Sequence, residues 1–147
     1  MGRGAWTTLG LAGAICLLGG LLHSTPARAE TVTMTAELSG AAQIPPNPSK
    51  GKGTVTVTFD TQTRLVTWSG TYSGATGQAL AAHFHGPADA AHNAPVVVNF
   101  DKFMSPFQGS TTLTESQASE LLAGQWYVNI HTPSYPGGEL RGQVVRK

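Results

Sequence analysis

Cysteine is almost missing from this chain: among 147 residues there is one, Cys16, and it lies in an N-terminal apolar stretch. That excludes a disulfide framework and a thiolate metal site, and it leaves no cysteine nucleophile once the stretch is removed. Charge is also scarce, at 12% of residues, and the only long apolar run is Leu9–Leu22, LGLAGAICLLGGLL. Fourteen residues are too few for an ordinary transmembrane helix. Arg3 before the run and Ala27-Arg28-Ala29 after it form the pattern of a secretory signal cut near Ala29. Ile15 before Cys16 is not the small residue that a lipoprotein cleavage site wants.

The expected organisation is a signal peptide over 1–29 and one domain over 30–147, in a secreted or periplasmic protein without a transmembrane anchor. Loss of residues 1–29 leaves 118, enough for a real core, and removes Arg3 and Arg28. Seven basic residues then face eight acidic ones, so no nucleic-acid partner is expected. No G-x-S-x-G elbow occurs, and no helix start follows the glycines of GKG or PGGELRG, which excludes a phosphate cradle.

What the sequence does contain is alternation. TVTMTAEL (31–38) sets Val32, Met34, Ala36 and Leu38 against Thr31, Thr33, Thr35 and Glu37, the period of a half-buried strand. GTVTVTFD, RLVTWSGTYSG, ALAAHFHG, PVVVNF, GQWYVNIHT and GELRGQVV continue the device, while QIPPNPSKGKG (43–53) reads as a long surface loop because its prolines lack donors. TESQASELLAG (114–124) is the one helical segment, with Thr114 and Gln117 as its cap and Gly124 as its stop. The expected fold is all-β: an antiparallel Greek-key sandwich or barrel, immunoglobulin-like or superoxide-dismutase-like, of about seven to eight strands with one short helix.

Parity then sorts the histidines. On a strand, ALAAHFHG sends Leu80, Ala82 and Phe84 one way and His83 and His85 the other, with the two histidine α-carbons about 6.5 Å apart. In WYVNIHT, Trp126, Val128 and Ile130 oppose Tyr127, Asn129 and His131. The three imidazoles thus occupy polar faces, and neighbouring strands would gather them. Such a set suits Cu(II) first and Zn(II) second, with one position open to water or substrate. Glu139, Arg141 and Gln143 share another polar face, where they offer a supporting carboxylate and cation. Asn129, the loop residue Tyr135 and the loop histidine His92 complete the supporting set. A lone H-x-H pair also fits plain solvated histidines, so the residues alone leave both readings open.

AAHFHGPA, NAPVVVNF and LTESQASELLAGQWYVNIHTPSYPGGELRGQV together resemble the chordin-type (CHRD) domain from about Thr33 to Val145. Tyr127, Asn129, His131, Pro136, Gly137, Gly138, Arg141 and Gly142 match the family pattern, as do His83, His85 and Gly86; His92 does not. The resemblance implies a secreted all-β domain. A looser likeness to copper-zinc superoxide dismutase rests on the order His83, His85, His131, Arg141, and implies a copper site with an arginine that attracts an anion; the dismutase's zinc loop and disulfide are missing. Three functions compete: a metal-binding β-sandwich, an adhesion or matrix-type module that binds an extracellular protein, and a copper oxidoreductase.

Overall fold

Each alternating segment forms a strand, because only one of its faces is apolar enough to leave water. A computed structural model describes residues 29–147 together with Met1, Gly2 and Gly4, so nearly all of the expected signal segment lies outside the described residues. The strands are β1 (Thr31–Ser39), β2 (Lys52–Asp60), β3 (Leu65–Ser73), β4 (Ala81–His85), β5 (Val96–Asn99), β6 (Phe107–Thr112), β7 (Tyr127–Thr132), β8 (Tyr135–Gln143) and β9 (Val145–Arg146). The helix α1 (Glu115–Leu122) has the capping box expected of Thr114 and Gln117, and Gly124 follows it at φ 72°. Among the described residues no helix is long and apolar enough to cross a membrane.

All strand pairs are antiparallel, in the order β5-β4-β7-β8-β1-β2-β3-β6, with β9 also on β1. β9 extends β8, since Ser39 pairs with Arg141 and Met34 with Arg146 in one unbroken register along β1. The sheet curls. Trp68 on β3 stands edge-on to Phe84 on β4, ring centroids 5.3 Å apart, although those strands lie at opposite ends of the order. Phe100 after β5 stacks on the same Trp68 at 4.7 Å and meets Phe107 of β6 at 5.8 Å. The core between the two halves includes the predicted inward residues Val32, Met34, Ala36, Leu38, Ala82, Phe84, Trp126, Val128 and Ile130.

The all-β expectation holds, with nine strands in place of seven to eight. β6 escaped the pattern because its inward positions are Phe107, Gly109 and Thr111, an interrupted apolar face. Gly109 pairs with Trp68, and a β-carbon there would collide with the indole ring. Gly109→Ala is therefore expected to cost about 1–3 kcal/mol, read as a lowered urea midpoint; an unchanged midpoint would show that the indole has room to move. Two further positions depart from the sequence reading. Leu80 is exposed just before β4 and Ala79 takes its place in the core, and Tyr135, expected in a loop, opens β8 after a two-residue turn.

Candidate metal centre

The strand order puts β4 and β7 side by side, as a gathered histidine set requires. The register is diagonal: His83 pairs with Asn129, His131 with Ala81, and His85 with Tyr127. Diagonal neighbours on one face remain within reach of long side chains. His83 Nδ1 lies 3.1 Å from His131 Nε2. One donor atom from each of His83, His85 and His131 falls within 4.8 Å of the others.

Backbone carbonyls orient two of the rings. His85 Nδ1 is 2.9 Å from the Ala94 carbonyl, and His131 Nδ1 is 2.9 Å from that of Pro136. A neutral imidazole carries one N–H, so a carbonyl at Nδ1 assigns the proton there and leaves the Nε2 lone pair to accept; on His85 it is unused, and on His131 it accepts from His83 Nδ1. His131 reaches Pro136 because the β7–β8 register shifts between Ile130 and Thr132, freeing His131 from a β8 partner. His85 Nε2 is buried and has no hydrogen-bond partner among the described residues.

Burial favours the neutral forms of His83 and His85. It is the main cause that lowers the His83 pKa to about 4, helped by the charges His131 and His85 would carry. Burial also lowers that of His85 against the pull of the Ala94 carbonyl, and the His131 and Arg141 charges add to the lowering. The unfolded chain takes up these protons near pH 6.5 and the folded chain only further down. The unfolded state thus binds more protons in that window, and stability falls as pH drops from about 6.5 towards 4. Thermal melts in chelator are expected to show this decline between pH 7 and pH 4.5; a flat melting temperature would contradict it.

The polar face holding the cluster is roofed by loops. Residues 43–51, the expected surface loop, fold over it: Gln43 is buried and its Nε2 donates to Asn129 Oδ1 at 2.8 Å. Gly138 sits at φ 125°, and a β-carbon there would strike the Asn129 amide. Tyr127 is stacked on His85, 4.9 Å between centroids and 3° between planes, and the Arg141 guanidinium lies 3.7 Å from the Tyr127 ring centre. Arg141 is 1% exposed and donates to Asn93, Asp89 and His92 of the 86–95 loop.

The other supporting residues lie apart from the cluster. Glu139 is fully buried and accepts from Thr132, Ser49 and Thr76. His92 is exposed, with its ring 2.6 Å from Asp89. Tyr135 lines a groove of about 390 Å³ with Pro45, Pro46 and Pro136. Residues that parity did not single out are Ala94 and Pro136, which act through their carbonyls; a backbone acceptor leaves no signal in residue type.

Residues 34–144 match the CHRD domain family. The chain belongs to that family. The match runs from Met34, within β1, to Val144, and so includes the histidine cluster and both loops that roof it. No curated protein and no solved structure was found to match the chain.

Proposed function

We propose that this CHRD domain is a secreted or periplasmic metal-binding module in which His83, His85 and His131 hold one transition-metal ion, copper in first place and zinc second. The observation that carries this reading is the buried, unpartnered Nε2 of His85, whose ring is fixed by the Ala94 carbonyl. An orphaned buried acceptor costs about 1–3 kcal/mol, and a bound cation would satisfy it.

Copper stands first because a given nitrogen donor set binds Cu(II) more tightly than Zn(II). Bonds of about 2.0–2.1 Å put tetrahedral donors about 3.3 Å apart, and planar donors about 2.9 Å (adjacent) or about 4.1 Å (opposite). The 3.1 Å edge between His83 Nδ1 and His131 Nε2 lies midway between the tetrahedral and the adjacent planar spacing and fits either. Ring centroids are spaced unequally, 4.9 Å for His83–His131, 5.5 Å for His83–His85 and 6.1 Å for His85–His131. His83 thus stands between the other two. Three imidazoles leave a coordination position for water or a small ligand.

Titration of the metal-stripped protein at neutral pH is expected to give one tight Cu(II) equivalent, with Zn(II) weaker. Failure of both ions to bind more tightly than about micromolar would sink the reading. A second reading, an interaction module, draws on a different surface: Thr54, Thr56, Thr58, Thr67, Ser69, Thr71, Gln108 and Ser110 form a broad uncharged outer face on β2, β3 and β6. The oxidoreductase reading has less support, because Arg141 commits its donors to the 86–95 loop and is closed off from an incoming anion.

A further inference from the structure

We infer that Arg141 is the positioning residue of the histidine cluster: by clamping the 86–95 loop it presents the Ala94 carbonyl to His85 and so keeps the His85 Nε2 lone pair facing the site. The inference rests on the metal-binding reading for its purpose, although the clamp itself is present without an ion.

The loop joins β4 to β5 and folds back across β7 and β8. Its base is closed by Gly86 N–H to the Pro95 carbonyl at 3.1 Å, and its start by Ala88 N–H to the Gln125 carbonyl at 2.8 Å. Between those ties Arg141 supplies the side-chain anchor from β8. One terminal nitrogen donates to Asn93 Oδ1 at 3.0 Å; the other donates to the carbonyls of Asp89 at 3.2 Å and His92 at 2.7 Å. Two of the three acceptors, on His92 and Asn93, directly precede Ala94. Asn93 passes the restraint on, donating to the Ile44 carbonyl of the other roofing loop at 2.9 Å.

Ala94 is where the restraint reaches the site. Its N–H donates to the Tyr127 hydroxyl at 3.1 Å, its carbonyl lies 3.3 Å from that hydroxyl, and the same carbonyl takes the His85 Nδ1 proton at 2.9 Å. Arg141 also covers the ring of Tyr127, which stacks on His85. A guanidinium suits this post because its planar fork reaches several acceptors at once, which a lysine ammonium on its flexible stem does not reproduce. Without the fork, two backbone carbonyls and an amide oxygen lose their donor, and the Ala94 carbonyl is held only through the Tyr127 hydroxyl. The His85 proton then distributes between Nδ1 and Nε2, and a proton on Nε2 blocks the donor atom.

The test is nitrogen-15 NMR of the His85 ring in metal-free protein at neutral pH, paired with Cu(II) affinity. The wild-type ring is expected to be the Nδ1–H tautomer. In Arg141→Lys and Asn93→Ala the Nε2–H form is expected to appear, with Cu(II) affinity about 10- to 100-fold weaker. Asn93 is exposed, so its variant decides the matter if the Arg141 variant does not fold. A His85 ring that stays wholly Nδ1–H in the folded variants overturns the positioning role. A wild-type protein that binds no copper, yet shows the tautomer change, would sink the metal reading and leave Arg141's role intact.

Discussion

Replacing His85 with alanine is expected to lower Cu(II) affinity by more than about 100-fold while barely moving the stability of the metal-free protein. Loss of a direct ligand exceeds the 10- to 100-fold usual for outer-shell partners. Stability responds weakly because two effects oppose each other. Alanine removes the stacking contact with Tyr127 and the hydrogen bond to the Ala94 carbonyl, but it also removes a buried nitrogen that has no partner among the described residues, a defect worth about 1–3 kcal/mol. A histidine retained only for packing would show the opposite: stability lost on substitution, and no tight metal binding to lose. Competition with a chelator of known affinity reads the first quantity, and urea unfolding in the same chelator reads the second. A variant that keeps wild-type copper affinity would remove His85 from the ligand set.

Glu139→Ala is expected to have the largest effect on stability, about 3 kcal/mol or more. The carboxylate is fully buried, yet it ties three segments together. It accepts from Ser49 Oγ at 2.5 Å, from Thr76 N–H and Oγ1 at 2.8 Å each, and from Thr132 Oγ1 at 2.6 Å. Burial pushes the Glu139 pKa up, but the hydrogen bonds from Ser49, Thr132 and Thr76 outweigh it and the net shift is downward. Alanine leaves the buried Thr132 hydroxyl without its acceptor and releases the half-buried Ser49 and the exposed Thr76 from the tie. Glu139→Gln keeps the shape but replaces one accepting oxygen with an amide NH₂ beside a backbone N–H and three hydroxyls that donate to the carboxylate, so about half the loss is expected. Because the depressed pKa makes this stabilisation present above the unfolded value of 4.5 and lost below it, the gap between wild type and Glu139→Ala should narrow on acidification. Chemical unfolding at pH 7 and pH 3.5 reads both; equal stability of variant and wild type at pH 7 would show that the carboxylate is not the tie described.

How much of this was legible in the sequence depends on the kind of signal each feature leaves. Period-two alternation placed Phe84 in the core and His83 and His85 on the opposite face, and the same parity carried His131 onto a matching face of β7. Adjacency of β4 and β7, and the diagonal offset of His131 from His83, are long-range facts that no local period encodes. Glu139, Asn129 and Arg141 were assigned to polar faces, and they occupy them. Their burial was hidden because the roof over that face is built by two loops whose proline-rich and mixed composition reads as surface. β6 was missed where Gly109 gives way to the Trp68 ring. The choice of Nε2 on His85 and His131 depends on the carbonyls of Ala94 and Pro136, acceptors that every residue possesses.

The central claim is that three imidazoles from β4 and β7 close on one ion. Crystals of the protein carrying one equivalent of Cu(II), measured at the copper absorption edge, test it most directly. The account predicts a single anomalous peak about 2.0–2.2 Å from His83 Nδ1, His85 Nε2 and His131 Nε2. A peak at the exposed Asp89–His92 pair, or none within bonding distance of the three nitrogens, would contradict it.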